Sequence, residues 1–325
     1  MRYLVTGGAG FIGSHLADAL VERGDEVVAL DDISTGALVN IAHLEGRPDF
    51  TFVEGTTLDP DLVEKLVVDT DAIVHLAAAV GVRLIVEHPL ESIITNIRGT
   101  EHVLAAAAAL HRRVLIASTS EVYGKNSYEP LKEDADRILG SPFIARWSYS
   151  TTKTVDEILA HAYWRERETP AIVARLFNCV GPRQTGEYGM VLPSFVRQAL
   201  LDEPITVHGT GLQRRCFCHV DDTVAGLLAL MDHPDSPGDP FNVGALNEVA
   251  IIDLAAMVRD RTGSSSEIVR IPYDVAYEHG FEDMERRVPD LGKIRGLTGW
   301  EPTRSLEDIL DDVIAYERAV PAVSG

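Results

Sequence analysis

The run Thr6-Gly7-Gly8-Ala9-Gly10-Phe11-Ile12-Gly13, directly after a β-branched opening segment, limits what this chain can fold into more than any other feature. Gly7, Gly10 and Gly13 stand three apart. The first suits a tight strand-to-helix turn, the second lets backbone N–H groups approach an anion at the positive end of a helix, and the third lets that helix pack on its strand. Three glycines alone also suit an ordinary turn, so the surrounding pattern decides. Short β-branched runs at 3–6, 26–30, 51–53, 72–76, 114–118 and 171–176 alternate with helical stretches at 11–23, 89–110 and 146–165. That alternation predicts right-handed βαβ crossovers and an α/β fold with a Rossmann-type, doubly wound parallel sheet. The second strand ends in Leu30-Asp31-Asp32, close to the distance at which an acid reaches an adenosine ribose. Asp31 is the expected ribose ligand, with Asp32 the lesser candidate. A carboxylate there repels a 2′-phosphate, so NAD is expected over NADP.

After residue 176 the pattern becomes irregular, with Gly181-Pro182, Gly209-Thr210-Gly211 and Ser236-Pro237-Gly238 marking loops. Segments 220–231 and 241–243 read as a helix and a strand that rejoin the first unit. The expected division is an NAD-binding domain of 1–176 plus about 219–245, and a smaller C-terminal substrate-binding lobe of about 177–218 plus 246–325. Residues 306–318, preceded by Ser305 as a cap, read as a final amphipathic helix.

Composition narrows the partners. A hydrophobic fraction of 46% suits a buried core, and 29 basic against 50 acidic residues, a formal charge of −21, disfavour a nucleic acid or an anionic membrane. No apolar run approaches the roughly 18 residues of a membrane span, and the opening strand takes the place a secretory leader would need. Cys179, Cys216 and Cys218 fit neither a disulfide framework nor a four-ligand zinc site, so no metal and a reducing, cytoplasmic setting are expected.

Tyr149-Ser150-Thr151-Thr152-Lys153 puts a phenol and an ammonium at i and i+4, on one helix face. A free phenol titrates near pH 10, and a cation beside it, with an oxidised nicotinamide close by, stabilises phenolate and pulls it toward use as a general base. Tyr149 is therefore expected to take a hydroxyl proton as hydride leaves for NAD. Ser118-Thr119-Ser120-Glu121-Val122-Tyr123-Gly124 ends a strand in hydroxyls, at the sheet edge where open α/β folds bind ligands.

With these residues in this order the chain resembles the extended short-chain dehydrogenase/reductase family of nucleotide-sugar enzymes, nearly end to end. His75-Leu76-Ala77-Ala78, Asn96 with Gly99-Thr100, Asn178 with Gly181-Pro182-Arg183, and the run from Arg215 through Asp222 extend the likeness. The resemblance implies that Phe11, Ile12, Leu76, Ala77, Ala78, Asn96 and Ser118 join the cofactor site, and that Lys153 also holds the nicotinamide ribose. It implies Thr119 as the hydroxyl partner of Tyr149, with Ser120 and Glu121 at the same catalytic centre. It further implies that Arg83, Asn178, Arg183, Arg215, Asp283 and Arg287 contact a UDP-sugar, arginine suiting phosphate through its planar fork. A homodimer paired through a helix bundle is implied as well. One departure is Glu54-Gly55-Thr56-Thr57, where relatives often show Gly-Asp beside the adenine.

Members of such a family can all begin by oxidising C4 of the sugar. The 4,6-dehydratases carry Thr-Asp-Glu after the strand, and here Ser120 replaces the acid. Thr119-Ser120-Glu121, Arg146-Trp147-Ser148-Tyr149 and Arg215-Cys216-Phe217 resemble UDP-glucuronate decarboxylases. The runs Gly181-Pro182-Arg183-Gln184-Thr185-Gly186-Glu187-Tyr188-Gly189-Met190 and Ala79-Val80-Gly81-Val82-Arg83 look closer to UDP-glucuronic acid 4-epimerases. The expectation is thus reversible interconversion of UDP-glucuronate and UDP-galacturonate through a 4-keto intermediate. The alternatives are UDP-glucuronate decarboxylation, UDP-glucose 4-epimerisation and non-catalytic NAD sensing.

Overall fold

Strands β1 (Arg2–Thr6), β2 (Glu26–Asp31), β3 (Phe50–Glu54), β4 (Ala72–His75), β5 (Arg113–Thr119) and β6 (Ala171–Leu176) form where the sequence places its short apolar runs. The computed structural model describes residues 1–80, 88–144, 146–186, 190–276, 284 and 286–319. Four short strands follow, β7 (Cys179–Val180), β8 (Ile205–His208), β9 (Arg214–Cys216) and β10 (Cys218–His219), and then β11 (Pro240–Val243) returns to the first sheet. That sheet is parallel throughout, in the order β11-β6-β5-β4-β1-β2-β3, a Rossmann-like arrangement as expected.

Its strands read as continuous apolar runs because both faces are covered. Tyr3 and Val5 of β1 pack with Leu16, Leu20, Leu227 and Leu230 from the helices Phe11–Glu22 and Val220–Asp232. Leu4, between them, points to the opposite face and joins Val28, Ile73, Val63 and Leu104. This two-residue alternation fixes the register, since a one-residue slip would exchange the two cores. Each leucine or valine so buried stabilises the fold by about 1.5–3 kcal/mol.

A separate apolar cluster gathers Leu192, Phe195, Val196, Ile205, Val207, Leu254, Val258, Ile309 and Val313. It joins β8 to the helices Val191–Leu200, Ile251–Thr262 and Leu306–Ala319. Three further strands, β12 (Glu248–Ala250), β13 (Ile268–Ile271) and β14 (Arg286–Arg287), complete small sheets beside it, in the orders β12-β9-β14 and β13-β8. Parallel pairing of β14 with β9 sets Arg287 beside Arg215. The helices Pro60–Val68 and Val191–Leu200 were not among the expected elements. Pro60 and Pro193 each sit in a first turn, where no intrahelical N–H is required. Among the described residues no helix is long and apolar enough to cross a membrane.

Candidate active site

The glycine run begins where β1 ends, at Thr6. Gly7 adopts φ +71, and a side chain on Gly13 would place its Cβ 2.0 Å from the Gly7 carbonyl oxygen, so helix and turn meet too closely for any other residue. The helix Phe11–Glu22 starts with Gly10 as N-cap and no side-chain cap, leaving its first N–H groups directed at the cavity. At the end of β2 the Asp31 carboxylate accepts from Ile33 N (2.8 Å) and Ala9 N (3.0 Å), which ties it to the glycine turn. Burial pushes its pKa up, and these backbone donors hold it down in part. Asp32 is exposed and accepts from Ser34 N.

After β4, Leu76, Ala77 and Ala78 form the opposite wall of this cradle. Asn96 stands behind them: it is buried, and its Oδ1 accepts from Ala79 N at 2.8 Å. It shapes the wall through Ala79 instead of facing the cavity. Glycine turn, uncapped helix start and buried acid together fit a dinucleotide. Among the described residues no cluster of side chains fits a metal ion.

The helix Arg146–Arg167 brings Tyr149 and Lys153 to the carboxyl end of β5. Tyr149 shares a hydrogen bond with the Thr119 side chain. In the protein alone the surroundings of this phenol act in the other direction. Burial raises its pKa, and the negative charges of Glu121 and Asp156 raise it further, against a smaller downward pull from Thr119. The Lys153 ammonium lies 3.1 Å from Asp156 Oδ2, in a pair whose side chains are 3% and 0% exposed. The sequence reading passed over Asp156, although an acid three residues after a lysine on a helix is a readable ion-pair signal.

Ser118 is committed inward, donating to Glu157 Oε1 at 2.5 Å. Glu157 also takes two hydrogen bonds from Arg175 (2.9 and 2.7 Å), which in turn donates to the Tyr123 hydroxyl. This buried network anchors the strand end that carries Thr119. Ser120 accepts from Arg287 Nη1 at 3.0 Å, and Arg287 Nη2 lies 2.8 Å from Glu121 Oε1. Arg287 is 6% exposed, so a cation delivered from β14 closes on the catalytic triplet out of bulk water.

The remaining expected contacts divide. Asn178, at φ +31 just after β6, donates to the Cys216 carbonyl, and Arg215 donates to the Arg214 carbonyl. Arg183 pairs at 2.8 Å with Asp18 on the helix Phe11–Glu22, so it links the two halves of the cleft. Arg83 and Asp283 lie outside the described residues, as do Glu187, Tyr188 and Gly189. All other named cofactor, catalytic and substrate candidates except Asn96 line one cavity of about 1460 Å³. Such a volume exceeds that of a single small-ligand pocket, roughly 300–1,000 Å³, and has room for two.

Comparison with known proteins agrees with this geometry. Residues 3–244 match the model of the NAD dependent epimerase/dehydratase family. The chain is 39% identical over 320 residues to UDP-N-acetyl-alpha-D-glucosaminuronate decarboxylase of Bacillus cytotoxicus, covering 98% of both chains. It is 37% identical over 317 residues to UDP-glucuronic acid decarboxylase 1 of Xenopus tropicalis, covering 98% of this chain and 72% of that one. It also resembles the crystal structure of UDP-glucuronic acid 4-epimerase from Bacillus cereus in complex with UDP-glucuronic acid and NAD, with a TM-score of 0.88, 31% identity, and coverage of 98% and 99%.

Proposed function

From the premise that the chain belongs to the NAD-dependent epimerase/dehydratase family, we propose that it oxidises C4 of a UDP-linked hexuronic acid and releases the carboxyl group of the resulting β-keto acid as CO2. The single observation that carries the choice is Arg287, whose charge is already answered by Glu121 at 2.8 Å. An enzyme that keeps a uronate carboxylate through a 4-keto stage needs a cation at liberty to hold it. A guanidinium spent on Glu121, with a carboxylate beside the reacting carbons, does the reverse and favours departure of the substrate's own negative charge. The decarboxylase relatives support the same outcome, one of them along the whole chain.

Bound NAD supplies the hydride acceptor for C4 and returns the hydride later. Tyr149 takes the C4 hydroxyl proton, assisted by Thr119, while Lys153 orients the ribose and Asn178 and Arg215 hold the UDP-sugar. Loss of CO2 breaks the C5–C6 bond and leaves its electron pair in a C4–C5 enolate, which takes a proton from solvent at C5. Tyr149 then returns its proton to the C4 oxygen as the hydride returns to C4, giving a UDP-pentose.

The second reading is the epimerisation that the sequence favoured, in which hydride returns to the opposite face of C4. The 4-epimerase of known structure supports it. It comes second because Arg183, from one of the two runs that suggested it, is held by Asp18 at 2.8 Å. Incubation with UDP-glucuronate, and separately with UDP-N-acetylglucosaminuronate, followed by NMR of the products tests the choice. A UDP-pentose with released CO2 is expected. A UDP-hexuronate inverted at C4 with its carboxyl retained overturns decarboxylation, and no turnover of any nucleotide sugar overturns the enzyme reading altogether.

A further inference from the structure

Arg287 reaches the catalytic triplet from a strand of only two residues, β14, so bonds beyond that strand must fix where its guanidinium lies. Neighbouring side chains on a strand point to opposite faces. Arg287 turns inward to Ser120 and Glu121, and Arg286 turns outward with its side chain half exposed. Arg286 donates to both oxygens of Glu248 on β12 (2.5 and 2.8 Å), and Glu248 also pairs with Arg214 of β9 at 3.0 Å. These bonds, like the pairing of β14 with β9, stay within the small sheet β12-β9-β14.

Another bond leaves that sheet. Arg286 Nη1 pairs with Glu129, whose side chain is 12% exposed. Glu129 belongs to the segment that runs on from the triplet through the turn at Gly124. In that same segment Leu131 N donates to the Val288 carbonyl at 2.9 Å, and the Leu131 carbonyl accepts from Asp290 N at 2.9 Å. Asn242 of β11 donates to the carbonyls of both Leu131 and Asp290 (2.8 and 3.1 Å) and accepts from the Tyr123 hydroxyl at 2.7 Å. Arg287 is thus flanked. The residue before it is tied by charge to Glu129, and the residue after it is tied through the main chain to Leu131. Both ties reach the segment that begins with Ser120 and Glu121, so guanidinium and triplet are held in one short closed frame. Glu129 and Arg286 themselves do not line the cavity.

Resting on the part given to Arg287 and Glu121 in the proposed decarboxylation, we infer that Glu129 is a positioning residue that, through Arg286, holds Arg287 against Ser120 and Glu121. Without it β14 keeps its place in the small sheet but loses the tie on one side of Arg287, and the guanidinium is free to turn from Glu121 toward the substrate.

The full chain is prepared with isotope-labelled arginine, and the Arg287 side-chain NMR signals are assigned by their loss in Arg287→Lys. A guanidinium held by two acceptors rotates slowly about its Nε–Cζ bond, so wild type should show separate signals for the two Nη groups. Glu129→Ala and Arg286→Ala should each merge them into one averaged signal. Arg214→Ala, which loosens the same charged cluster without removing the Glu129 pair, should keep them separate. Separate signals in the first two variants, or merged signals in Arg214→Ala, overturn the inference. Should Glu129→Ala not fold, Arg286→Ala decides alone, since it removes a half-exposed side chain. With UDP-glucuronate the same two variants should release CO2 with kcat lower by about tenfold or more and KM little changed, because a displaced group costs the reaction step and not binding of the nucleotide. Merged signals with wild-type kcat overturn the positioning role. A wild type that releases no CO2 refutes the decarboxylation, and the arginine signals still decide whether Glu129 holds Arg287.

Discussion

Replacing Glu121 by glutamine removes the charge that answers Arg287 and leaves the shape of the site nearly intact. At 2.8 Å and an effective dielectric constant of about 20, the pair attracts by about 6 kcal/mol before desolvation is counted. Breaking such a buried pair from one side costs about 3–5 kcal/mol. The glutamine carbonyl still accepts from the guanidinium and returns about 1.5–3 kcal/mol. The net loss is about 2 kcal/mol, equivalent to a fall of about 3 °C in thermal midpoint for a chain of 325 residues. Arg287 keeps Ser120 at 3.0 Å, so it stays in place with its charge now open to the substrate. A uronate carboxylate held by it, through a hydrogen bond worth about 1.5–3 kcal/mol, should leave at least about tenfold more slowly. Calorimetry reads the first effect, and labelled CO2 release against NMR of the nucleotide-sugar products reads the second. Unchanged thermal midpoint together with unchanged CO2 release would refute the view that Arg287 is spent on Glu121.

Two other perturbations address separate parts of the site. Tyr149→Phe should lower turnover by about 10²–10⁴-fold while leaving NAD binding intact, as judged by product NMR and by titration with the cofactor; wild-type turnover would remove the phenol from the chemistry. His75 links stability to pH. Burial first, and then the Lys153 charge, lower its pKa to about 3 from the ordinary 6.5. The unfolded chain thus binds the extra proton between these values, and stability falls as pH drops through that window. About 2 kcal/mol should be lost through this group between pH 7.5 and 5, and His75→Gln should lack that component in denaturant titrations at the two pH values.

Much of this was legible because it is local. The glycine spacing, Asp31 at a strand end and the Tyr149/Lys153 helix face are properties of a few consecutive residues whose backbone geometry follows from their types. The partners of charged groups were not legible. Arg287 was read as free to grip a ligand, but the residue it pairs with, Glu121, is 166 positions earlier and reaches it only because β14 joins β9. Asn96 was assigned to the cofactor and instead braces Ala79, because the pattern showed that a polar residue faces inward without showing how many layers lie between it and the cavity.

The placement of β11 at the outer edge of the large sheet bears on how the chain is made. Residues 1–176 contain every strand of that sheet but one, yet β6 receives its last neighbour only at Pro240–Val243. While the intervening sixty or so residues emerge from a ribosome at about 5–20 per second, β6 stands as a bare edge able to pair with a strand of another nascent chain. A fragment cut after residue 176, tidy as its alternation looks, would carry that open edge permanently and should aggregate where the whole chain does not.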